Sequence, residues 1–319
     1  MQQRFKARLL AGFFLLLAAG CTTLPQTREI AHHRPAGLPE KIELSQTPFF
    51  PQEDYQCGPA ALAMTLNAAG AKTTPEALVE QVYLPGRQGS LQVEMLAAAR
   101  RNGYVGYELD PKLENVLREI AAGSPVIVLQ NFLLSWLPAW HYAVAVGYDL
   151  ERAEIILRTG LKQRQVMPFG VFEYLWEDGD HWSMVAMPPG KLPATAREET
   201  YAAAIAALER SRRVREAGIA YAALLTRWPK NLVSQIGVGN TAYALQDMKH
   251  AEAAFRQATR DHPDSAIAFN NLAQTLADLG NFTEAQQAAR KAVSLGGPLQ
   301  ASAQTTLAEI LMKSAKYQK

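Results

Sequence analysis

The sequence predicts an α+β domain followed by an all-α repeat domain. Three observations carry that reading. From about residue 44 to 190, helical patterns come first and strand patterns follow, which is an α+β layout. The break Pro188-Pro189-Gly190-Lys191-Leu192-Pro193 then punctuates the chain. Beyond it the composition turns alanine-rich and repeats at a spacing of 34 residues, a period typical of stacked helical units. The 319 residues leave room for about two domains.

At the N-terminus, Arg4, Lys6 and Arg8 precede the apolar run Leu9 to Gly20, which ends in Leu17-Ala18-Ala19-Gly20-Cys21. This resembles a bacterial lipoprotein signal and implies removal of residues 1–20 and acylation of Cys21. Three acyl chains anchor a protein stably to a membrane, and the expected address is the outer membrane, facing the periplasm. An ordinary cleaved signal peptide and an uncleaved anchor are the alternatives. Only Cys21 and Cys57 are present, so without acylation a Cys21–Cys57 disulfide is open; with it, Cys57 is the free thiol. Residues 21–43, with Pro25, Pro35, Pro39 and the pair His32-His33, read as a solvated tether rather than a metal site.

The domain at 44–190 begins with a helix at Cys57. Further helices are expected at Thr74 to Leu78, with Thr74 as N-cap and Pro75 in the first turn, at Leu91 to Arg100, and at Leu113 to Ala121. Strands follow at Ser124 to Gln130, His141 to Tyr148 and Glu154 to Arg158, with a charged turn at Asp149 to Ala153. Residues 191–195 read as a linker and 196–319 as the repeat domain. In one unit Gly239, Ala251, Phe255, Ala258 and Pro263 recur; 34 residues on, Ala273, Ala285, Ala289, Ala292 and Gly297 take the same slots, with Leu272, Gly280 and Phe282 in pattern. Ala217, Tyr221 and Pro229 mark an earlier unit, and Ser302 to Lys313 a capping helix. These positions resemble tetratricopeptide repeats, whose small residues let paired helices approach. The resemblance implies a groove for a protein partner, offered here by Gln235, Asn240, Asn270, Asn271 and Gln274.

Chemistry concentrates at Gln52-Glu53-Asp54-Tyr55-Gln56-Cys57-Gly58-Pro59-Ala60-Ala61-Leu62. Proline sits comfortably in a first helical turn, so Cys57 falls at a helix N-terminus, where the dipole is expected to lower a thiol's pKa. His141 opens a strand about 85 residues later and is the candidate base. Together with Pro125-Val126-Ile127-Val128, these segments resemble the papain-like cysteine peptidases that process bacteriocin leaders. The resemblance implies Cys57 as nucleophile, His141 as general base and acid, and Gln52 as oxyanion donor. Gln56 is the rival donor and His181 the rival base. It also implies an aspartate about sixteen residues after the histidine, where this chain reads Ile156-Leu157-Arg158-Thr159-Gly160. The residue orienting His141 is therefore missing, supplied by Thr159 or a backbone carbonyl, or replaced by Asp149. The relatives act in the cytoplasm, fused to transporters, so the double-glycine substrate is not carried over to an exported chain.

A formal net charge of +2 with 19% charged residues excludes an electrostatic case for nucleic acid. No metal or organic cofactor is implied. The expected function is a membrane-anchored cysteine peptidase acting through a thioester, with repeats that recruit a protein substrate or partner. The alternative is an inactive papain-like domain serving as a peptide- or protein-binding envelope scaffold.

Overall fold

The computed structural model describes residues 24–52, 56–133 and 137–317. The signal segment and Cys21 lie outside the described residues. No helix among those described is long and apolar enough to cross a membrane.

The first elements are helix α1 (Pro25–His32) and strand β1 (Lys41–Glu43). The stretch expected to be a loose tether is folded onto the domain body. Glu173, fully buried, accepts from the Gln26 and Thr27 backbone N–H groups at 2.9 and 2.7 Å. A carboxylate on a helix N-terminus satisfies its open N–H groups and complements its dipole. Strand β1 in turn pairs with β6 (Trp140–Asp149), Ile42 opposite Tyr148.

Helix α2 (Cys57–Ala68) is buried on every side from Gly58 to Leu66. A helix apolar all round belongs in a core, and the Gly-Pro-Ala-Ala-Leu-Ala-Met sequence makes it one. Helices α3 (Pro75–Val82) and α4 (Gln92–Arg101) flank it; Thr74 caps α3 as expected, accepting from the Ala77 N–H at 3.4 Å. Between them a small ribbon pairs β2 (Tyr83–Leu84) with β3 (Gly89–Ser90). The main sheet takes β4 (Val105–Glu108), β5 (Val126–Asn131), β6, β7 (Glu154–Thr159), β8 (Lys162–Pro168) and β9 (Ser183–Met187) in the order β4-β9-β5-β6-β7-β8, with β1 also on β6; every pairing is antiparallel. Helix α5 (Leu113–Ala121) precedes β5, and α6 (Phe169–Glu177) links β8 to β9.

The sheet has a core on each face. Tyr142, Val144 and Val146 of β6 pack with α2 residues such as Leu62, Met64 and Leu66. Ala143 and Ala145, pointing the other way as a period of two requires, join Val116, Leu117 and Ile120 of α5 and Trp176 of α6.

Seven further helices follow: α7 (Glu198–Arg210), α8 (Val214–Arg227), α9 (Leu232–Ala244), α10 (Met248–Asp261), α11 (Ala266–Asp278), α12 (Phe282–Leu295) and α13 (Gln300–Tyr317). The last is longer than the Ser302 to Lys313 cap read from sequence. The repeat register is visible in the backbone: Arg212, Gln246 and Gly280, each 34 residues from the next, turn between paired helices at φ of 62°, 63° and 82°. It is visible in packing too. A Cβ on Gly239 would lie 2.6 Å from Cζ of Phe255, and one on Gly237 would overlap the Tyr221 ring. Those glycines let α9 approach α8 and α10.

The segment read as a linker is docked. Thr195 donates through N–H and hydroxyl to the buried Glu119 carboxylate at 2.7 and 2.6 Å, whose pKa burial nonetheless raises. The Tyr107 and Tyr201 rings meet edge to face, 5.3 Å apart. Tyr201, Ile205 and Leu208 of α7 and Ala217, Ala220, Tyr221 and Leu224 of α8 share one core with Val105, Tyr107 and Val185 of the sheet.

Candidate active site

Cys57 is the first residue of α2, its thiol partly buried. The backbone N–H groups of Tyr142, Gly58 and Cys57 itself favour the thiolate, but burial outweighs them and pushes the thiol pKa up. The helix-dipole expectation from sequence is thus opposed: burial works against the N–H groups and disfavours the thiolate. The N–H groups invoked from sequence are there; the withdrawal of solvent is what the sequence did not reveal. Gly58 is required by its neighbour, because a Cβ there would lie 2.6 Å from Cβ of Ser90. Tyr142 fastens the same corner, donating its hydroxyl to the Ser90 carbonyl at 3.1 Å and resting its ring on Trp182.

The Tyr142 N–H faces the thiol, and its chain neighbour is His141. The helix start and the strand start expected to supply nucleophile and base therefore meet at one corner of the domain. The His141 Nε2 lies 2.7 Å from the hydroxyl of Thr159 at the end of β7. Thr159 is 5% exposed, so this contact is shielded from water. It is one of the orienters left open by the sequence. It fixes one ring nitrogen and leaves Nδ1 as the other. Burial depresses the imidazole pKa to about 4. The Phe132 ring packs at 5.1 Å on the imidazole.

Asp149 does not orient His141. It ends the same strand eight residues on, about 26 Å away at strand rise. There it accepts from the Glu151 and Arg152 N–H groups and pairs with Lys41 at 3.3 Å. His181, the rival base, sits in a left-handed turn with its ring edge-on to Trp176 at 4.9 Å.

Gln52 is 7% exposed and bridges two segments of the site. Its Oε1 accepts from the Gly160 N–H at 2.7 Å, and its Nε2 donates to the Tyr142 carbonyl at 3.2 Å. An amide nitrogen carries two hydrogens, so one remains beyond that bond. Gln56 stands at the N-cap of α2 and makes no side-chain cap.

One residue escaped the sequence reading. Gln130 of β5 lies directly across from His141, is 0% exposed, and neither amide atom has a hydrogen-bond partner. Its signal was a polar residue closing the apolar run Val126-Ile127-Val128-Leu129. Among the expected groove residues of the repeats, Gln235 is spent internally, donating to Asp261 at 2.6 Å and to the Pro229 carbonyl at 2.8 Å. Asn271 donates to Asn240 at 3.0 Å, and Gln274 is exposed.

The fold and this corner define a papain-like α+β domain joined to a helical repeat. Comparison with known proteins agrees at that level. Residues 44–178 match the Peptidase_C39 like family, and residues 238–303 and 271–317 match the tetratricopeptide repeat. The chain thus carries a C39-like peptidase domain and C-terminal tetratricopeptide repeats. No curated protein matches it. A solved structure of a candidate C39-like peptidase from Bacillus anthracis is similar over 47% of this chain and 98% of its own, at 19% identity and a TM-score of 0.40.

Proposed function

We propose that the protein is a cysteine peptidase that hydrolyses a peptide bond through a thioester on Cys57. The observation that supports this most is the Thr159–His141 contact beside the start of α2. With Nε2 held by Thr159, Nδ1 is the nitrogen that takes the thiol proton as Sγ attacks the substrate carbonyl. Because burial disfavours both the thiolate and the imidazolium, proton transfer accompanies attack, rather than preceding it as a stored ion pair. The oxyanion is met by the spare Gln52 amide hydrogen and by backbone N–H at the start of α2, a contribution of about 3 kcal/mol per donor. His141 then returns the proton to the leaving amine. A water, deprotonated by His141, releases the acyl group.

The wider setting is part of the same proposal: anchoring through an acylated Cys21 in the bacterial envelope, and recruitment of a protein substrate by the repeats. A second reading, a peptide-binding domain without turnover, draws on the raised thiol pKa and on threonine standing where a stronger orienter is expected. One comparison separates them. Free N-termini in cells carrying the wild type are compared with those in cells carrying Cys57→Ala, and a candidate substrate is then incubated with purified protein. A substrate-derived thioester on Cys57, seen by mass spectrometry, establishes the peptidase. Bound, uncleaved peptide with no thioester establishes the scaffold.

A further inference from the structure

Away from Cys57, a cavity of about 530 Å³ opens on the seam between the α+β domain and the repeats. Its volume falls in the range of small-molecule sites, about 300–1,000 Å³. Gln81, Arg101 and Asn102 line one side, and Ser211, Arg212 and Arg213, the turn between α7 and α8, line the other. Three of these six side chains are guanidinium groups and none is a carboxylate.

The walls are held in place. Arg101 donates to the Gln81 carbonyl at 2.7 Å, and Asn102 to the Gln81 side chain at 3.1 Å. Arg213 donates to the Arg101 carbonyl across the seam. Arg101 also pairs with Glu94 at 3.6 Å. Two more arginines stand behind: Arg100, whose Nε has no hydrogen-bond partner, lies close enough to Arg210 for the charges to repel.

The backbone fixes where Arg212 stands. Arg212 holds a left-handed turn position, which the third unit gives to Gly280. A large side chain there costs conformational energy that glycine avoids. The second unit holds Gln246 at the same position, so the turn itself does not single out Arg212; what the first unit adds is a guanidinium on the cavity wall.

We propose that this seam cavity binds a small, multiply charged oxyanion bearing phosphate or carboxylate groups, gripped by Arg101, Arg212 and Arg213. Guanidinium forks match both groups in bidentate fashion. A ligand there bridges the two halves and stabilises the whole chain.

The test is thermal unfolding of the full chain with pyrophosphate, inorganic phosphate or citrate, ionic strength being fixed with sodium chloride. The wild type is expected to show a saturable Tm rise of about 5 °C at a hundredfold excess over Kd. Arg212→Gln and Arg212→Gly should abolish most of it. Both suit the turn, since glutamine and glycine occupy the equivalent position in the other units. A response to the phosphates alone identifies a phosphate ligand, to citrate alone a polycarboxylate, and to both a general oxyanion site. The proposal is overturned if no probe gives a saturable rise in the wild type, or if both variants respond as the wild type does.

Discussion

In the proposed mechanism, Thr159 and His141 set the chemistry that the site can perform. A threonine hydroxyl orients an imidazole but does not stabilise the imidazolium as a carboxylate does. Thr159→Val, which keeps the shape and loses the hydroxyl, should lower kcat/KM about a hundredfold. Thr159→Asp should raise the His141 pKa from about 4, moving the acid limb of the pH–rate profile upward; an unmoved limb would refute the contact. With burial disfavouring the thiolate and the imidazolium, a thiol-directed probe should label Cys57 slowly at pH 6, and His141→Ala should change that labelling little while abolishing turnover. Loss of labelling in His141→Ala would instead reveal an ion pair. Stability follows the same shift. An imidazole at about 4 when folded and 6.5 when unfolded binds fewer protons in the folded chain between those values. Its contribution is therefore complete above pH 6.5 and is lost as pH falls toward 4, to the extent of about 3 kcal/mol. Equilibrium unfolding at pH 7 and pH 4.5, compared between wild type and His141→Ala, measures it.

At the scale of elements, what was legible in the sequence was whatever a local pattern encodes. The Cys57 helix announced itself through Gly-Pro-Ala-Ala, and α3 through Thr74 and Pro75. The repeats did so through a spacing that recurs in the left-handed turns at Arg212, Gln246 and Gly280. Strand β9 escapes a local reading because its partners β4 and β5 are remote in sequence, and β8 because its run Lys162-Gln163-Arg164-Gln165 is polar and exposed although it pairs with the adjacent β7. Strand β1 and helix α1 read as tether because what holds them, β6 and Glu173, lies more than a hundred residues downstream. The direction of the Cys57 pKa shift was misjudged for a related reason: N–H groups can be inferred from a helix start, but desolvation depends on what the rest of the chain covers. Gly58 offers an element-level test. Gly58→Ala drives a methyl against Ser90 and should destabilise the protein by about 1–3 kcal/mol. Ser90→Gly removes the obstacle and should recover most of that loss in a double-mutant cycle; no recovery would mean that α2 is held elsewhere.

For the whole molecule, the boundary between chemistry and repeats does not fall where composition changes. Sequence places it at residues 191–195, yet α7 and α8 complete the core of the sheet. Tyr201, Tyr221 and Leu224 lie in the same buried cluster as Val105 and Tyr107. Arg197 adds an ion pair to Asp110 at 2.9 Å, and Thr195 donates twice to one oxygen of the buried Glu119 carboxylate. A chain ending at residue 195 exposes the apolar face of β4 and leaves Tyr107 without its aromatic partner. Losing even one large buried aromatic costs about 3–5 kcal/mol, against a total stability of about 5–15 kcal/mol. That truncation should therefore be unfolded or aggregated, and its inactivity would say nothing about recruitment. A chain ending at residue 230 keeps α7 and α8 and removes α9 to α13. It should melt cooperatively and cleave a short peptide with kcat/KM close to that of the full chain. If the repeats recruit the substrate, only cleavage of the intact protein substrate should fall, through KM rather than kcat. Equal cleavage of the intact substrate by both chains would exclude recruitment by α9 to α13, and a folded chain ending at residue 195 would refute the shared core.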